Sequence, residues 1–212
     1  MATRTVVIIS GSGSNLQALI DRAEEIGIEI CGVISNREDA YGLQRAQRAG
    51  IATALVDHRQ FDSRESFDAT LAETIDGMQA ELVILAGFMR ILTPEFTRRY
   101  EGRMLNIHPS LLPKYRGLHT HKRALEAGEQ WHGATIHFVT EELDGGANII
   151  QAPVAINSSD SEETLAARVH GVEHRIYPLA AQWFAEGRLR LQEGRAYLDG
   201  APLPTEGYQY HD

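Results

Sequence analysis

The chain has 212 residues, of which 43% are hydrophobic and 23% are charged, as is usual for a soluble globular protein of one domain. Its formal net charge of −9 argues against a broad basic surface for nucleic acid or anionic membranes. No apolar run approaches the ~20 residues of a membrane span. The amino terminus leads directly into a strand pattern, and Cys31 is the single cysteine, so we expect a cytoplasmic protein without disulfides.

The apolar pattern alternates between strands and helices along the whole chain. Strands, marked by short β-branched and apolar runs, are predicted over residues 5–10, 28–35, 52–56, 82–85, 104–108, 134–139 and 149–154. Helices are predicted over residues 16–26, 41–49, 63–75, from Pro94 onward, 121–127 and 161–185. A small hairpin over residues 189–198 precedes the tail. This order predicts one α/β domain with a mostly parallel twisted sheet flanked by helices.

The segment 105–113 combines a short apolar strand with two polar side chains and a proline. Side chains alternate along a strand, so Asn106 and His108 project on one face. Pro109 cannot donate to a sheet ladder, which leaves both polar groups at the carboxyl end of the strand. An amide beside an imidazole is suited to acyl transfer, because the first can bind a charged oxygen and the second can move a proton. The alternative is a pair of satisfied polar groups in the core.

A glycine-rich turn, residues 11–15, joins the first predicted strand to the first helix. The free N–H groups at the start of a helix favour a phosphate, and glycines let the backbone turn tightly. The turn is not a complete dinucleotide-binding pattern, because Leu16 occupies the third glycine position and no acidic residue ends the second strand. We predict a phosphate site, with a purely structural turn as the alternative.

Three of these segments are predicted to meet at one edge of the sheet. The turn 11–15 follows the first strand, residues 87–92 follow the fourth, and His108 closes the fifth. Ligands bind at the carboxyl ends of strands in open α/β sheets, so we expect one shared site. Asp144 lies in a turn between two later strands. It is either an ordinary turn residue or a carboxylate that favours the protonated imidazole of His108.

These motifs resemble those of the formyltransferases that use formyltetrahydrofolate. The resemblance rests first on the sequence NIHPSLLP at residues 106–113 and on DGG at residues 144–146. It extends over residues 6–207 with the motifs in the same order. Three more motifs, SGSGSNLQ from Ser10, AGFMRIL from Ala86 and GLHTH from Gly117, are similar to those of the members that act on phosphoribosylglycinamide.

The resemblance implies a fold and an activity. The fold is a single Rossmann-like domain over residues 1–212, with a phosphate-binding half at about 1–100 and a catalytic and folate-binding half at about 101–212. The activity is formyl transfer from 10-formyltetrahydrofolate, the co-substrate, to the amine of phosphoribosylglycinamide in purine (IMP) biosynthesis, without a metal. Both partners are small molecules. Neither nucleic acid nor a membrane is expected as a partner, and the chain would be a monomer or a weak homodimer.

The resemblance further implies roles for individual residues. In catalysis Asn106 is the oxyanion donor, His108 is the general acid and base, and Asp144 raises the pKa of His108. The residues that would bind phosphoribosylglycinamide are Gly13, Ser14, Asn15, Leu16, Gln17, Gly87, Met89, His170, Gly171, Val172 and Glu173. The residues that would bind the folate are Arg64, Met89, Arg90, Ile91, Leu92, Asn106, Thr140, Glu141, Glu142, Leu143 and Asp144. Departures from the family pattern, which affect only the details of ligand contacts, occur at Arg116, Ala147, Asn148 and His170.

Other functions compete with this interpretation. The spacing of the histidines, His119, His121, His132 and His137 above all, matches no standard zinc pattern.

A methionyl-tRNA formyltransferase would need a further carboxy-terminal domain and a basic face. A formyltetrahydrofolate hydrolase usually carries an additional amino-terminal domain, whereas the first strand is predicted from Thr5. The hydrolase or another formyl-folate transferase stays the alternative. The incomplete glycine pattern argues against a nucleotide-dependent oxidoreductase. The presence of Asn106, His108 and Asp144 argues against a non-catalytic phosphate sensor.

Overall fold

The β-branched run near the amino terminus forms a central strand of an eight-stranded sheet. The structure is a computed structural model that describes residues 1–212. The strands that share this sheet or the small one beside it are β1 Thr3–Ile9, β2 Ile28–Ser35, β3 Thr53–Leu55, β4 Leu82–Leu85, β5 Met104–His108, β6 Trp131–Phe138, β7 Asn148–Ala155, β8 Leu189–Gln192, β9 Arg195–Leu198, β10 Ala201–Pro202 and β11 Tyr208–Gln209. The large sheet has the order β11-β7-β6-β5-β4-β1-β2-β3, and the small one has the order β10-β9-β8.

Helices cover both faces of the large sheet. Their bounds are α1 Ser14–Ile26, α2 Tyr41–Arg48, α3 Arg64–Gly77, α4 Pro94–Arg99, α5 Thr120–Glu126 and α6 Glu162–Ala185. The apolar side chains of α1 and α6 pack on one face and those of α3 and α4 on the other. Four successive residues of β1, Val6 to Ile9, are therefore fully buried, which explains a continuous apolar run rather than an alternating one. No helix is both long and apolar enough to cross a bilayer.

The predicted α/β fold with a mostly parallel sheet is confirmed. The bounds of β2, β4 and β5 match the sequence prediction, and Ser63 and Ser161 cap α3 and α6 through reciprocal capping boxes. The predicted start of α1 at residue 16 is wrong by two residues, because Gly13 adopts a left-handed conformation and begins the helix earlier. The predicted start of β6 at residue 134 is also late, since pairing with β7 extends the strand back to Trp131.

The sequence predicts no strand after residue 198, whereas in the structure the carboxy-terminal tail contributes the edge strand β11. Tyr208 and Gln209 pair in parallel with Ile150 and Gln151 of β7. A Cβ atom on Gly207 would lie 2.8 Å from the carbonyl carbon of Ile149, so only glycine allows the tail to approach β7 this closely.

Tyr177 of α6 joins the helix to the two strands that end at the polar edge of the sheet. Its side chain is fully buried, and its hydroxyl lies 2.6 Å from the carbonyl oxygen of Leu85 and 3.0 Å from that of Leu105. Burial raises the pKa of this phenol well above its ordinary value, so the hydroxyl keeps its proton and donates. The contact fixes α6 against the last residue of β4 and the second residue of β5.

The change Tyr177→Phe should lower the free energy of unfolding by about 1–3 kcal/mol, because it leaves buried carbonyl oxygens without this donor. For a chain of this size the melting temperature should fall by roughly 3–10 °C. The matched control is Tyr197→Phe, since the Tyr197 hydroxyl makes no hydrogen bond within the chain and its removal should change little. Equal melting temperatures for both variants would contradict the role given to Tyr177.

A pair of histidines ties α5 to β6. His121 Nδ1 lies 3.0 Å from His132 Nε2, and His132 is 1% exposed. Burial is the main cause that lowers the pKa of His132 to about 4, and it also lowers the pKa of His121. One ring must donate and the other accept, so the contact requires at least one neutral imidazole.

Acid should therefore weaken the fold in a defined window. In the unfolded chain His132 titrates near ~6.5, whereas in the folded chain its pKa is about 4. The unfolded state binds the proton first, so this stabilisation is complete above pH ~6.5 and is lost as the pH falls toward ~4. His132→Gln should flatten the dependence of the melting temperature on pH within that window. His211→Gln, which changes an exposed histidine, should not, and parallel curves for both variants would contradict the assignment.

Candidate active site

A cavity of about 660 Å³ opens at the carboxyl edge of the large sheet. It is lined by the turn after β1, the segment after β4 and the end of β5, which confirms the predicted convergence of these three segments. Residues 117–121, the segment after β6 and one face of α6 complete the wall. A cavity of this size lies within the usual range for small-molecule sites.

The glycine turn meets the first turn of α1 at one end of the cavity. Gly13 has φ 73°, and a Cβ atom at this position would lie 2.7 Å from the Cα atom of Gly42. The backbone N–H of Gln17 is the first that bonds within the helix, to the carbonyl oxygen of Gly13 at 2.8 Å. The three N–H groups before it, those of Ser14, Asn15 and Leu16, have no helical partner. They form a cradle suited to an anion.

Asn15 and Glu173 meet beside this turn, although 158 residues separate them. Asn15 Nδ2 donates to Glu173 Oε1 at 2.9 Å, and the carboxylate is 6% exposed. Burial is the main cause that raises the pKa of Glu173. The Oδ1 atom of Asn15 is buried and accepts no hydrogen bond. The pair therefore places a carboxylate at the wall of the cavity, beside a buried amide oxygen that has no partner within the protein.

His108 and Asp144 lie together at the centre of the cavity. Asp144 Oδ1 is 3.5 Å from His108 Nδ1, and both side chains are less than a tenth exposed. Asp144 has φ 51°, and its Oδ2 accepts the backbone N–H of Gly117 at 3.0 Å. His108 Nε2 lies 2.8 Å from the carbonyl oxygen of Tyr115. Nε2 therefore donates to the Tyr115 carbonyl, and Nδ1 faces the Asp144 carboxylate.

Asn106 is held by a residue that the sequence analysis did not include in the site. Asn106 Nδ2 lies 3.3 Å from His137 Nε2, and the two residues are directly opposite across the β5–β6 ladder. His137 Nδ1 lies 2.9 Å from the carbonyl oxygen of Phe138, so Nδ1 donates and Nε2 accepts from the amide. Burial lowers the pKa of His137, which keeps the ring neutral for this purpose. One N–H of Asn106 remains for a ligand.

The other end of the cavity has apolar walls. The large apolar side chains exposed there are Met89, Ile91, Leu118 and Leu143. The backbone N–H of Met89 donates to Ser10 Oγ at 2.9 Å, and the Arg90 guanidinium lies 5.1 Å from the centre of the Phe67 ring. Exposed apolar residues around one cavity indicate a site for a partly apolar ligand.

Most of the predicted site residues line this cavity, but five do not. The Leu16 side chain is fully buried in the core, and Val172 is 7% exposed in the same core. Gln17, Arg64 and Gly171 lie outside the lining. Each end of the cavity contains residues from both halves of the chain. Asn15 and Glu173 meet at the glycine turn, and the segments 89–92 and 140–143 line the other end. Among the predicted departures, His170 lines the cavity, Arg116 pairs with Glu142, and Asn148 donates to the Thr205 carbonyl.

Sequence reasoning missed two contributors to the site, His137 and the backbone of the 115–119 segment. The signal for His137 was present, because a strand that pairs antiparallel with β5 places one of its residues opposite Asn106. No group of three or more His, Cys, Asp or Glu side chains is placed to hold a metal ion.

Comparison with known proteins identifies the family of this chain. Residues 3–181 match the family model described as formyl transferase. The chain is 55% identical to the phosphoribosylglycinamide formyltransferase of Escherichia coli, in an alignment that covers 96% of this chain and 97% of that protein. It is 50% identical to the Haemophilus influenzae protein of the same name, in an alignment that covers 97% of this chain and 98% of that protein. The structure of the phosphoribosylglycinamide formyltransferase from Coxiella burnetii, solved with CHES, superposes with a TM-score of 0.96 at 51% identity and covers both chains completely. The chain therefore belongs to the formyl transferase family and is a formyltransferase.

Proposed function

We propose that the chain transfers a formyl group from 10-formyltetrahydrofolate to the amine of phosphoribosylglycinamide, a step of purine biosynthesis. One observation carries the proposal: a single cavity joins an anion cradle, a buried carboxylate and the set Asn106, His108 and Asp144. The choice of phosphoribosylglycinamide as the acceptor rests on the Escherichia coli and Haemophilus influenzae relatives, which are named for that substrate. In this proposal both the amino-terminal half and the carboxy-terminal half of the chain contribute to one reaction centre.

The acceptor would lie along α1 and α6. The N–H groups at the start of α1 would bind its phosphate, because they are free and lie at the positive end of the helix dipole. Asn15 Oδ1 would accept from a hydroxyl or amide of the acceptor, since it has no partner within the protein. Glu173 would bind the amine, and His170 lies one helical turn before it at the same wall.

The formyl donor would occupy the apolar end of the cavity. Residues 89–92 and 140–143 form two walls in which apolar side chains lie beside charged ones, such as Arg90 and Glu141, and this mixture suits a heterocycle with polar edges. The position of this wall beside Asp144 would bring the formyl group close to His108 and Asn106. Fixing both substrates in one cavity can remove an entropic barrier of ~7–11 kcal/mol.

The three polar residues would act on the formyl group in turn. When the amine bonds to the formyl carbon, the formyl oxygen gains negative charge, and Asn106 would donate its free N–H to that oxygen. His108 would assist as a proton donor to the departing folate nitrogen and would take the proton that the amine loses. Asp144, 3.5 Å from Nδ1, would stabilise the protonated ring and fix its orientation.

His108 Nε2 cannot exchange a proton with a substrate while it donates to the Tyr115 carbonyl. The Tyr115 carbonyl belongs to a segment outside any helix or strand, whereas Asp144 is fixed by the Gly117 N–H. We therefore infer that a movement of the Tyr115 carbonyl, with the contact between Gly117 and Asp144 kept, would release Nε2 for the substrates.

Purified protein should release tetrahydrofolate from 10-formyltetrahydrofolate only when phosphoribosylglycinamide is present. The measurement is folate absorbance, with ribose 5-phosphate in place of the acceptor as the control, because it carries the phosphate but no amine. A chelator should not change the rate. Equal release in water alone would identify a hydrolase and overturn the proposal.

The change His108→Ala should lower kcat by ~10²–10⁴, the range for a general acid–base group. Asn106→Ala should lower it by ~10²–10³, as for the loss of one oxyanion donor. The control is His58→Ala, because His58 contacts Asn36 and lies outside the cavity lining. All three proteins should melt cooperatively. A His108 variant with nearly normal activity per folded molecule would show that His108 is a core polar group instead.

A further inference from the structure

Helix α2 holds the backbone of the glycine turn from the side opposite the cavity. The N–H of Gly42 donates to the carbonyl oxygen of Gly11 at 3.0 Å, and Arg45 Nε donates to the carbonyl oxygen of Ser12 at 2.7 Å. Two successive peptide groups of the turn are therefore each fixed by a donor from α2.

These contacts determine where the turn directs its N–H groups. In a trans peptide the C=O and N–H bonds point in opposite directions. Because the Ser12 carbonyl is held toward Arg45, the N–H of Gly13 in the same peptide points away from α2. The Gly11 carbonyl, held by Gly42, imposes the same direction on the N–H of Ser12. Residues 11–15 line the cavity, so α2 orients these N–H groups toward it.

The Arg45 guanidinium is itself fixed and carries a charge that no carboxylate offsets. It lies 4.9 Å from the centre of the Tyr41 ring, and its Nη1 is 3.4 Å from Gln17 Oε1. No Asp or Glu oxygen lies within 4.0 Å of it, unlike the paired arginines Arg59 and Arg168. In a chain of net charge −9, an unneutralised cation behind the turn raises the local potential where an anion would bind.

We propose that Arg45 is a positioning residue for the phosphate of the acceptor, because it orients and polarises the N–H groups of the glycine turn. This inference rests on the proposed function, since it assumes an acceptor that carries a phosphate. Arg45 acts through the Ser12–Gly13 peptide and does not line the cavity. Its effect should therefore depend on the phosphate of the acceptor and not on the folate.

The test compares phosphoribosylglycinamide with ribosylglycinamide, which lacks the phosphate, in the wild type, Arg45→Met, Arg45→Lys and Arg48→Met. Loss of a charged donor should lower kcat/KM for phosphoribosylglycinamide by roughly 10- to 100-fold in Arg45→Met. The change should appear in the KM of this acceptor, with the KM of the folate and the kcat retained. The kcat/KM for ribosylglycinamide should stay within about twofold of the wild type, and Arg45→Lys should recover part of the loss.

Arg48→Met is the matched control. Arg48 lies on the same helix and against the same ring, 5.6 Å from its centre, but it donates to the Tyr41 hydroxyl and not to the turn. This variant should behave as the wild type toward both acceptors. An equal loss of activity toward both acceptors in Arg45→Met and Arg45→Lys would overturn the proposal and make Arg45 a structural residue.

Binding of inorganic phosphate separates this inference from the proposed function. In the wild type, a titration with inorganic phosphate should shift the amide NMR signals of Ser12, Gly13 and Ser14, and Arg45→Met should weaken that binding by a similar factor. Phosphate binding that depends on Arg45, in a protein that transfers no formyl group to either acceptor, would support the inference and refute the proposed function. Unchanged phosphate binding in Arg45→Met would overturn the inference even if formyl transfer is present.

Discussion

A buried strand that ends in two polar side chains sets the constraint on which the rest of this site depends. A polar group that leaves water must find partners, and an unsatisfied one costs on the order of 1–3 kcal/mol. Asn106 and His108 lie at the end of β5, between β4 and β6, and neither can reach bulk water freely. Each partner comes from a different part of the chain: His137 from β6, Asp144 from the turn after it, and a carbonyl from the 115–119 segment. The position of these three segments follows from the need to satisfy two side chains.

How much the sequence could predict depends on how far apart the interacting residues lie. The alternation of side chains along the five residues of β5 is a local pattern, so the sequence alone predicts that Asn106 and His108 share one face of the strand. The predicted order of strands then brings the turn 11–15 to the same edge of the sheet. The contact between Asn15 and Glu173 depends on the packing of α1 against α6, which no local pattern records. Leu16 illustrates the opposite case. It belongs to the phosphate turn by position, yet the helical period directs its side chain into the core.

The negative charge of the chain poses a problem for a site that would receive anions, and the structure solves it locally. The cavity places backbone N–H groups, which carry partial charge but are not titrated, where an anion would bind. Its carboxylates lie at two places, with Glu173 near the glycine turn and Glu141, Glu142 and Asp144 together in the segment after β6. Net charge therefore indicates which broad surfaces a protein lacks, whereas specificity for an anion is decided by a few oriented dipoles.

The short strand β11 has a consequence for the whole sheet. A sheet edge with free N–H and C=O groups is a template for a strand of another molecule. β7 would present such an edge if the last residues did not pair with it, and its pairing residues Ile150 and Gln151 are buried beneath the tail. The tail can approach this closely only because residue 207 is glycine, since a side chain there would clash with the backbone of Ile149. The tail therefore occupies the edge of β7 at Ile150 and Gln151, so a strand of another molecule could pair at these positions only after the tail had left them.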